Sequence, residues 1–402
     1  MKYIIILGDG MSDRPIESLG GKTPLMAADI PNIDFLCARG KCGKFATVPS
    51  DMPPGSAVAN LSVLGYDPAE VFQGRGVLEA ASMGVKLDTT DLAMRCNLIC
   101  IENGIIRNHS AGHISTEESH KLIDSLREHL GSESVVFHPG ISYRHLFVLK
   151  NGNDSVYCTP PHDVPGTAFA DVMITATKPE GEKTADVLNE LILKSQEILK
   201  DHPVNLKRIA EGKDPANSVW FWSPGYKPQM RTLSDLYGIR GAVISAVDLV
   251  KGLGIYAGLD VIEVEGATGL YDTNYEGKAQ AAIDALKGDY DFVYLHVEAT
   301  DEAGHEGDVN LKIRTIEYLD RRIVKFIMEE TEKMEEDVAI GITPDHGTPC
   351  DIRTHVHDPV PFLIYLPGEE PDDVMRYDEI STDSGSLGTI RGDAFIRALL
   401  KR

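Results

Sequence analysis

The feature that most limits how this chain can fold is a set of short, unbroken apolar runs, each stopping near acidic residues or histidine. Tyr3–Leu7 leads into Asp9, Asp291–Val297 into Glu298 and Asp301, and Val338–Ile342 into Asp345-His346, with Pro361–Leu366 close behind. A strand with one face in water alternates apolar and polar residues; a strand covered on both faces has no need to. Helical stretches lie between the runs. Glu276–Leu286 is rich in Ala, and Leu311–Met334 carries Ile313, Ile316, Leu319, Ile323, Phe326 and Ile327 on one stripe. This alternation predicts an α/β fold, a mostly parallel sheet sandwiched by helices. In such sheets sites form beyond the carboxyl ends of the strands, and Asp9, Asp301 and Asp345 fall at such ends.

The middle of the chain reads differently. From about Asp88 to Gly225 the segments are shorter and mixed, with turn signals at Glu102-Asn103-Gly104, Lys150-Asn151-Gly152-Asn153 and Pro160-Pro161. One helix, Glu182–Leu199, carries Leu188, Leu191, Ile192, Ile198 and Leu199. The expected organisation is a discontinuous main domain, 1–85 and 228–402, with a smaller α+β domain inserted at 86–227. A length of 402 residues suits more than one domain.

Composition excludes several function classes. With 39 Lys and Arg against 62 Asp and Glu the formal charge is −23, and no basic face for nucleic acid is visible. The apolar start is far short of the roughly 20 residues that span a bilayer, so no membrane partner is expected. Six scattered cysteines without a Cys-x-x-Cys pair argue against a structural zinc site and for reduced thiols in the cytoplasm. An anionic substrate would need local cations to overcome so acidic a chain.

The strand-end residues are of metal-binding type. Asp301 and His305, four apart on one helical turn, can face the same way and suit a divalent ion; ordinary surface neighbours look the same. Asp345-His346-Gly347 can converge through a Gly-containing turn, and equally can be a polar loop. Thr354-His355-Val356-His357-Asp358-Pro359 offers a histidine to complete a site with Asp301 and His305. Asp9, between two glycines, fits a metal carboxylate or a plain turn. In Met52-Pro53-Pro54-Gly55-Ser56-Ala57 a rigid loop feeds a helix, so Ser56 is either an N-cap or a nucleophile in the field of the helix N-terminus.

Together Ile6–Gly10, Pro54–Asn60, His296–His305, Thr343–Pro349 and His355–Pro361 resemble the alkaline phosphatase superfamily. More closely, they resemble the cofactor-independent phosphoglycerate mutases of archaeal type and their bacterial homoserine-kinase-like relatives. The resemblance spans nearly the whole chain and implies an alkaline-phosphatase-like fold. It implies interconversion of 2- and 3-phosphoglycerate, a small phosphorylated sugar acid, through a phosphoserine on a two-metal site. Asp9, Ser56, Asp345 and His346 match the ligands of one divalent ion; Asp301, His305 and His355 match those of the second. His355 is preferred to His357 because it stands three residues before Asp358-Pro359-Val360-Pro361. Ser56 matches the phosphorylated serine, and manganese is the metal expected, with zinc and magnesium as alternatives. Three carboxylates against two divalent ions leave a locally cationic site.

Substrate contacts are expected from Arg95 and Arg144, since guanidinium grips phosphate and carboxylate bidentately. His162, Asp163 and Lys278 are further candidates. Asn108-His109 replaces the acidic-aromatic pair usual before Ser110-Ala111-Gly112-His113, which leaves His109 without a role. Gly266–Gly269 and Asp272–Lys278 resemble the homoserine-kinase-like branch equally well, so a phosphotransferase or phosphohydrolase on the same scaffold is the alternative. No Gly-x-x-x-x-Gly-Lys-Ser/Thr loop is present. Nothing in the sequence speaks to oligomeric state.

Overall fold

The apolar runs form the centre of one sheet. A computed structural model describes residues 1–402 and divides the chain into two compact units, Met1–Phe72 with Gln229–Arg402, and Gln73–Pro228. In the first unit eight strands lie in the order Asp260–Val261, Gly241–Ile244, Phe292–Val297, Lys2–Gly8, Val338–Thr343, Val360–Tyr365, Lys41–Ala46, Thr389–Arg391. All neighbours are parallel except the two pairings made by Val360–Tyr365.

Both faces of the central strands are covered, which is why those strands show no alternation. Ile4, Ile6, Val293, Leu295, Ile340 and Ile342 share a core with Ala279, Ala282, Ile283 and Leu286 of the helix Tyr275–Lys287 and with Ile316, Leu319 and Ile323. On the other face Tyr294 donates to Asn60 Oδ1 in the helix Ser56–Val63 at 2.5 Å. Register then aligns the strand ends. Leu7 lies opposite His296 on one side and Thr343 on the other, so Asp9 and Asp345 leave the sheet at the same edge. Asp301 follows in the first turn of the helix Ala299–Glu306.

The single helix expected over Leu311–Met334 is interrupted. It runs as Val309–Tyr318, a π-helical segment Leu319–Val324, and Lys325–Thr331. The wider turn still carries the apolar stripe inward, and it brings Asp320 to the start of the helix Pro31–Cys37. There its Oδ1 accepts from the amides of Asn32 at 3.0 Å and Ile33 at 2.7 Å.

The second unit has its own antiparallel sheet, ordered Ile105–Asn108, Asp91–Glu102, Arg144–Lys150, Val135–Ile141, with Ser218–Gly225 also paired to Asp91–Glu102. Leu188, Leu191, Ile192 and Leu199 of the helix Glu182–Leu199 pack with Val219, Trp220 and Phe221. At Glu102-Asn103-Gly104 the turn signal marks a hairpin whose Asn103 and Gly104 have φ of 52° and 81°. The boundary at 85/86 moves to 72/73. The helix Arg75–Ser82 belongs with the insert because it packs on the strands Asp91–Glu102 and Ser218–Gly225, and Glu79 pairs with Arg95 at 3.0 Å. No helix is long and apolar enough to cross a membrane.

Candidate metal centre

The site is built in the first unit, at the shared strand edge. The Asp9 amide still donates to Val297 O at 2.9 Å, so Asp9 remains registered to the neighbouring strand. The chain then turns at Gly10 (φ 58°), where a Cβ would stand 2.3 Å from Asp301 Oδ1. Only glycine lets the backbone pass so close to a second carboxylate. Gly10 N and His346 N both donate to Asp345 Oδ1, at 3.1 and 2.9 Å. Asn60 Nδ2 donates to Asp345 Oδ2 at 2.8 Å.

Two triplets, Asp9–Asp345–His346 and Asp301–His346–His355, each bring their ligand atoms within 4.8 Å of one another. His305 joins the second: its Nε2 lies 3.1 Å from Asp301 Oδ2 and 3.0 Å from His355 Nε2, and its Nδ1 lies 3.0 Å from Arg353 O. Thr348 donates to Asp301 Oδ1. Ser56 opens the helix Ser56–Val63, with Gly55 in the cap position. Its Oγ lies 3.2 Å from His346 Nε2, so the hydroxyl faces the cluster and does not cap the helix. A Cβ at Gly55 would meet His355 Nδ1 at 3.4 Å. All seven side chains named from the motifs therefore converge. His357 turns away, its Nε2 lying 2.8 Å from Met52 O.

The residues fit divalent cations. Asp9 Oδ1 is buried without a hydrogen-bond partner, an uncommon and costly condition that a cation would relieve. Burial, then the carboxylates of Asp345 and Asp301, pushes Asp9 well above the ordinary carboxylate range. Burial also acts to raise Asp301, but hydrogen bonds from His305 and His355 outweigh it and hold that carboxyl well below its usual value. The same bond to Asp301 lifts His305 to about 9. A mixed set of carboxylates, imidazoles and a hydroxyl suits several divalent ions and selects none by itself.

Other residues support the centre. Lys312, fully buried, sends its Nζ to Asp13 Oδ2 at 3.0 Å, Ser12 O at 3.2 Å and Thr348 O at 2.8 Å. It thereby ties together the loops that follow two strands. Asn60 bonds Ser56 O as well as Asp345. Its signal in the sequence was an amide four positions after Ser56 on a largely apolar helix; Lys312 left no such signal.

The substrate candidates divide. Lys278, expected as an available cation at a helix start, is fully buried and donates to His296 O at 3.1 Å. Burial lowers it to about 8. In the second unit, Arg95 is largely buried, paired with Glu79, and stacked 4.3 Å over the Trp222 ring. The His162 ring lies 5.1 Å from Trp222 and 6.1 Å from His109, and His109 lies 5.9 Å from Tyr143. Arg144 is exposed, 5.8 Å from the Tyr143 ring, and Asp163 lies 3.6 Å from His162. These side chains form one neighbourhood, with His109 inside it.

The model of the family described as 2,3-bisphosphoglycerate-independent phosphoglycerate mutase matches residues 37–205. A protein of that name from Methanosarcina acetivorans is 53% identical, over the whole of both chains. The chain belongs to this mutase family. Two solved structures are similar over the whole chain. A Pyrococcus horikoshii protein is 36% identical with a TM-score of 0.85, covering 100% of this chain and 96% of that one. The cofactor-independent phosphoglycerate mutase of Thermoplasma acidophilum is 30% identical with a TM-score of 0.72, covering 100% and 99%. A member of the family is an enzyme, and both structures share the fold over its full length.

Proposed function

We propose that this protein interconverts 2- and 3-phosphoglycerate through a phosphorylated Ser56. The observation that carries the reading is the Ser56 hydroxyl, at a helix N-terminus and 3.2 Å from His346 Nε2, facing a cluster of Asp and His residues. Asp9, Ser56, Asp345 and His346 would hold one divalent ion, and Asp301, His305 and His355 a second. Such ions lower the pKa of a neighbouring hydroxyl and offset charge on a transferring phosphoryl group.

The side chains account for the rest. Asn60 holds Ser56 O and Asp345 together, which fixes the nucleophile relative to its neighbours. The Ser56 hydroxyl loses its proton as its oxygen attacks phosphorus and the bond to the substrate oxygen breaks, and the glycerate oxygen released takes up a proton to become a hydroxyl. The second hydroxyl of the retained glycerate then attacks the phosphoserine, loses its proton, and regenerates Ser56. The helix N-terminus favours the anionic group throughout. Arg144, His162 and Asp163 are proposed as substrate-binding groups of the inserted unit; Arg95 and Lys278 are proposed to support their surroundings instead.

Rapid mixing with 3-phosphoglycerate followed by mass spectrometry tests the reading. A phosphopeptide containing Ser56 is expected, EDTA should stop turnover, and Mn²⁺ should restore it. A Ser56→Ala variant with normal rate refutes the mechanism. Release of free phosphate instead of the isomer would favour a phosphohydrolase, and no reaction would favour the homoserine-kinase-like alternative.

A further inference from the structure

We propose that His296, held in one tautomer by Ser245, is a positioning residue that decides which oxygen of Asp9 is offered to a divalent ion. The proposal rests on reading Asp9 as a metal ligand. It starts from register. Ile244 lies opposite Leu295, and Leu295 opposite Ile6, in three adjacent parallel strands. Ser245, His296 and Leu7 therefore lie level across the sheet, and Asp9 follows two residues after Leu7 at its carboxyl edge.

The direction of each hydrogen bond follows from Asp9, whose carboxylate oxygen can only accept, so that His296 Nε2 donates and Nδ1 is left to accept. Val247 N–H donates to Ser245 Oγ at 3.0 Å, which leaves the Ser245 hydrogen free to be given to His296 Nδ1. Ser245 Oγ lies 3.1 Å from His296 Nδ1. With Nδ1 accepting, the imidazole hydrogen is on Nε2, which donates to Asp9 Oδ2 at 2.9 Å. Both His296 and Asp9 are buried, so no solvent competes for these bonds. Lys278 fixes the main chain beneath by donating to His296 O, and Thr300 donates to Asp9 O.

The consequence is an asymmetric carboxylate. Oδ2 is engaged by a directional donor, while Oδ1 is the buried oxygen without a partner, 3.5 Å from His346 Nε2. The relay therefore offers a single oxygen on the side where Asp345 and His346 converge. Without it, the carboxylate is free to rotate and to offer either oxygen or both. Partners that orient a ligand from behind typically change metal affinity by about 10–100-fold when removed.

The test is Mn²⁺ binding to the full chain, followed by the EPR signal of free Mn²⁺, with folding stability measured separately in EDTA. His296→Leu is expected to weaken one class of Mn²⁺ site by about 10–100-fold. His296→Gln, whose amide nitrogen can reach the place of Nε2, should bind close to wild type even if it loses as much stability as His296→Leu. Equal Mn²⁺ affinity in His296→Leu and wild type overturns the proposal, as does an equal loss in the Leu and Gln variants. Should His296→Leu fail to fold, Ser245→Ala decides: weaker Mn²⁺ binding supports the relay, and unchanged binding overturns it. Asp9→Asn separates the two levels of the argument. If that variant keeps wild-type Mn²⁺ binding, the metal reading itself falls and the relay with it. If it loses Mn²⁺ while His296→Leu does not, only the relay falls.

Discussion

Lys312 shows how one buried charge can organise a site it does not enter. Its ammonium has three acceptors, the carboxylate of Asp13 and the carbonyls of Ser12 and Thr348. Asp13 in turn accepts from Cys350 N at 3.1 Å. The pair thus joins the loop after Lys2–Gly8 to the loop after Val338–Thr343, which carry the proposed ligands Asp9, Asp345 and His346. Removing one member of a buried pair strands the other, so Lys312→Met is expected to lower folding stability by roughly 3–5 kcal/mol. A urea titration of the metal-free protein measures this, and a loss below about 1 kcal/mol would show that Asp13 finds other partners. Tyr294 is a milder case. Tyr294→Phe leaves Asn60 Oδ1 buried without its donor and should cost about 1–3 kcal/mol, visible in the same titration. None of this is legible in the sequence, since Lys312 and Tyr294 resemble ordinary residues of a helix and a strand.

At the scale of elements, the strands were the most readable part because burial on both faces leaves a continuous apolar run. The helix Glu182–Leu199 was readable for the complementary reason, a stripe at helical spacing. The π segment Leu319–Val324 was hidden, because one wide turn shifts the stripe too little to break the pattern. Its use is clear in three dimensions: Asp320 also accepts from Asn32 Nδ2 at 2.7 Å, besides the amides of Asn32 and Ile33. The start of Pro31–Cys37 is thus capped from a distant part of the chain. Asp320→Ala should destabilise the protein by about 1–2 kcal/mol, as loss of a cap does. Hydrogen exchange should rise first in Pro31–Cys37; uniform exchange across the first unit would contradict this assignment.

At the scale of the molecule, chain connectivity and folding units differ. The first unit needs both of its segments, because Lys2–Gly8 lies between Phe292–Val297 and Val338–Thr343, and Lys41–Ala46 pairs with Val360–Tyr365. The second unit is one continuous stretch with its own core. A fragment of residues 73–228 is therefore expected to fold and melt cooperatively alone, checked by circular dichroism; a fragment that stays unfolded would show that its core is insufficient. Metal should act on the first unit only. Saturation at about 100 times Kd adds roughly 2.7 kcal/mol per site, so Mn²⁺ should raise the melting transition of the full chain and leave that of the fragment unchanged.

What the sequence settled alone was what is local and repetitive: the covered strands, the main helices, the turn at Asn103-Gly104, and the motifs carrying Asp9, Ser56, Asp301, His305, Asp345, His346 and His355. Periodicity and short spacing record the environment of each segment, so these features survive in one dimension. The tertiary structure alone decided that Ser56 faces His346, that Lys278 points into the protein, that Arg75–Ser82 joins the insert, and that His296 holds Asp9 from behind. Ser56 and His346, like His296 and Asp9, stand hundreds of positions apart, and all four outcomes depend on strand register and packing, which no local pattern encodes.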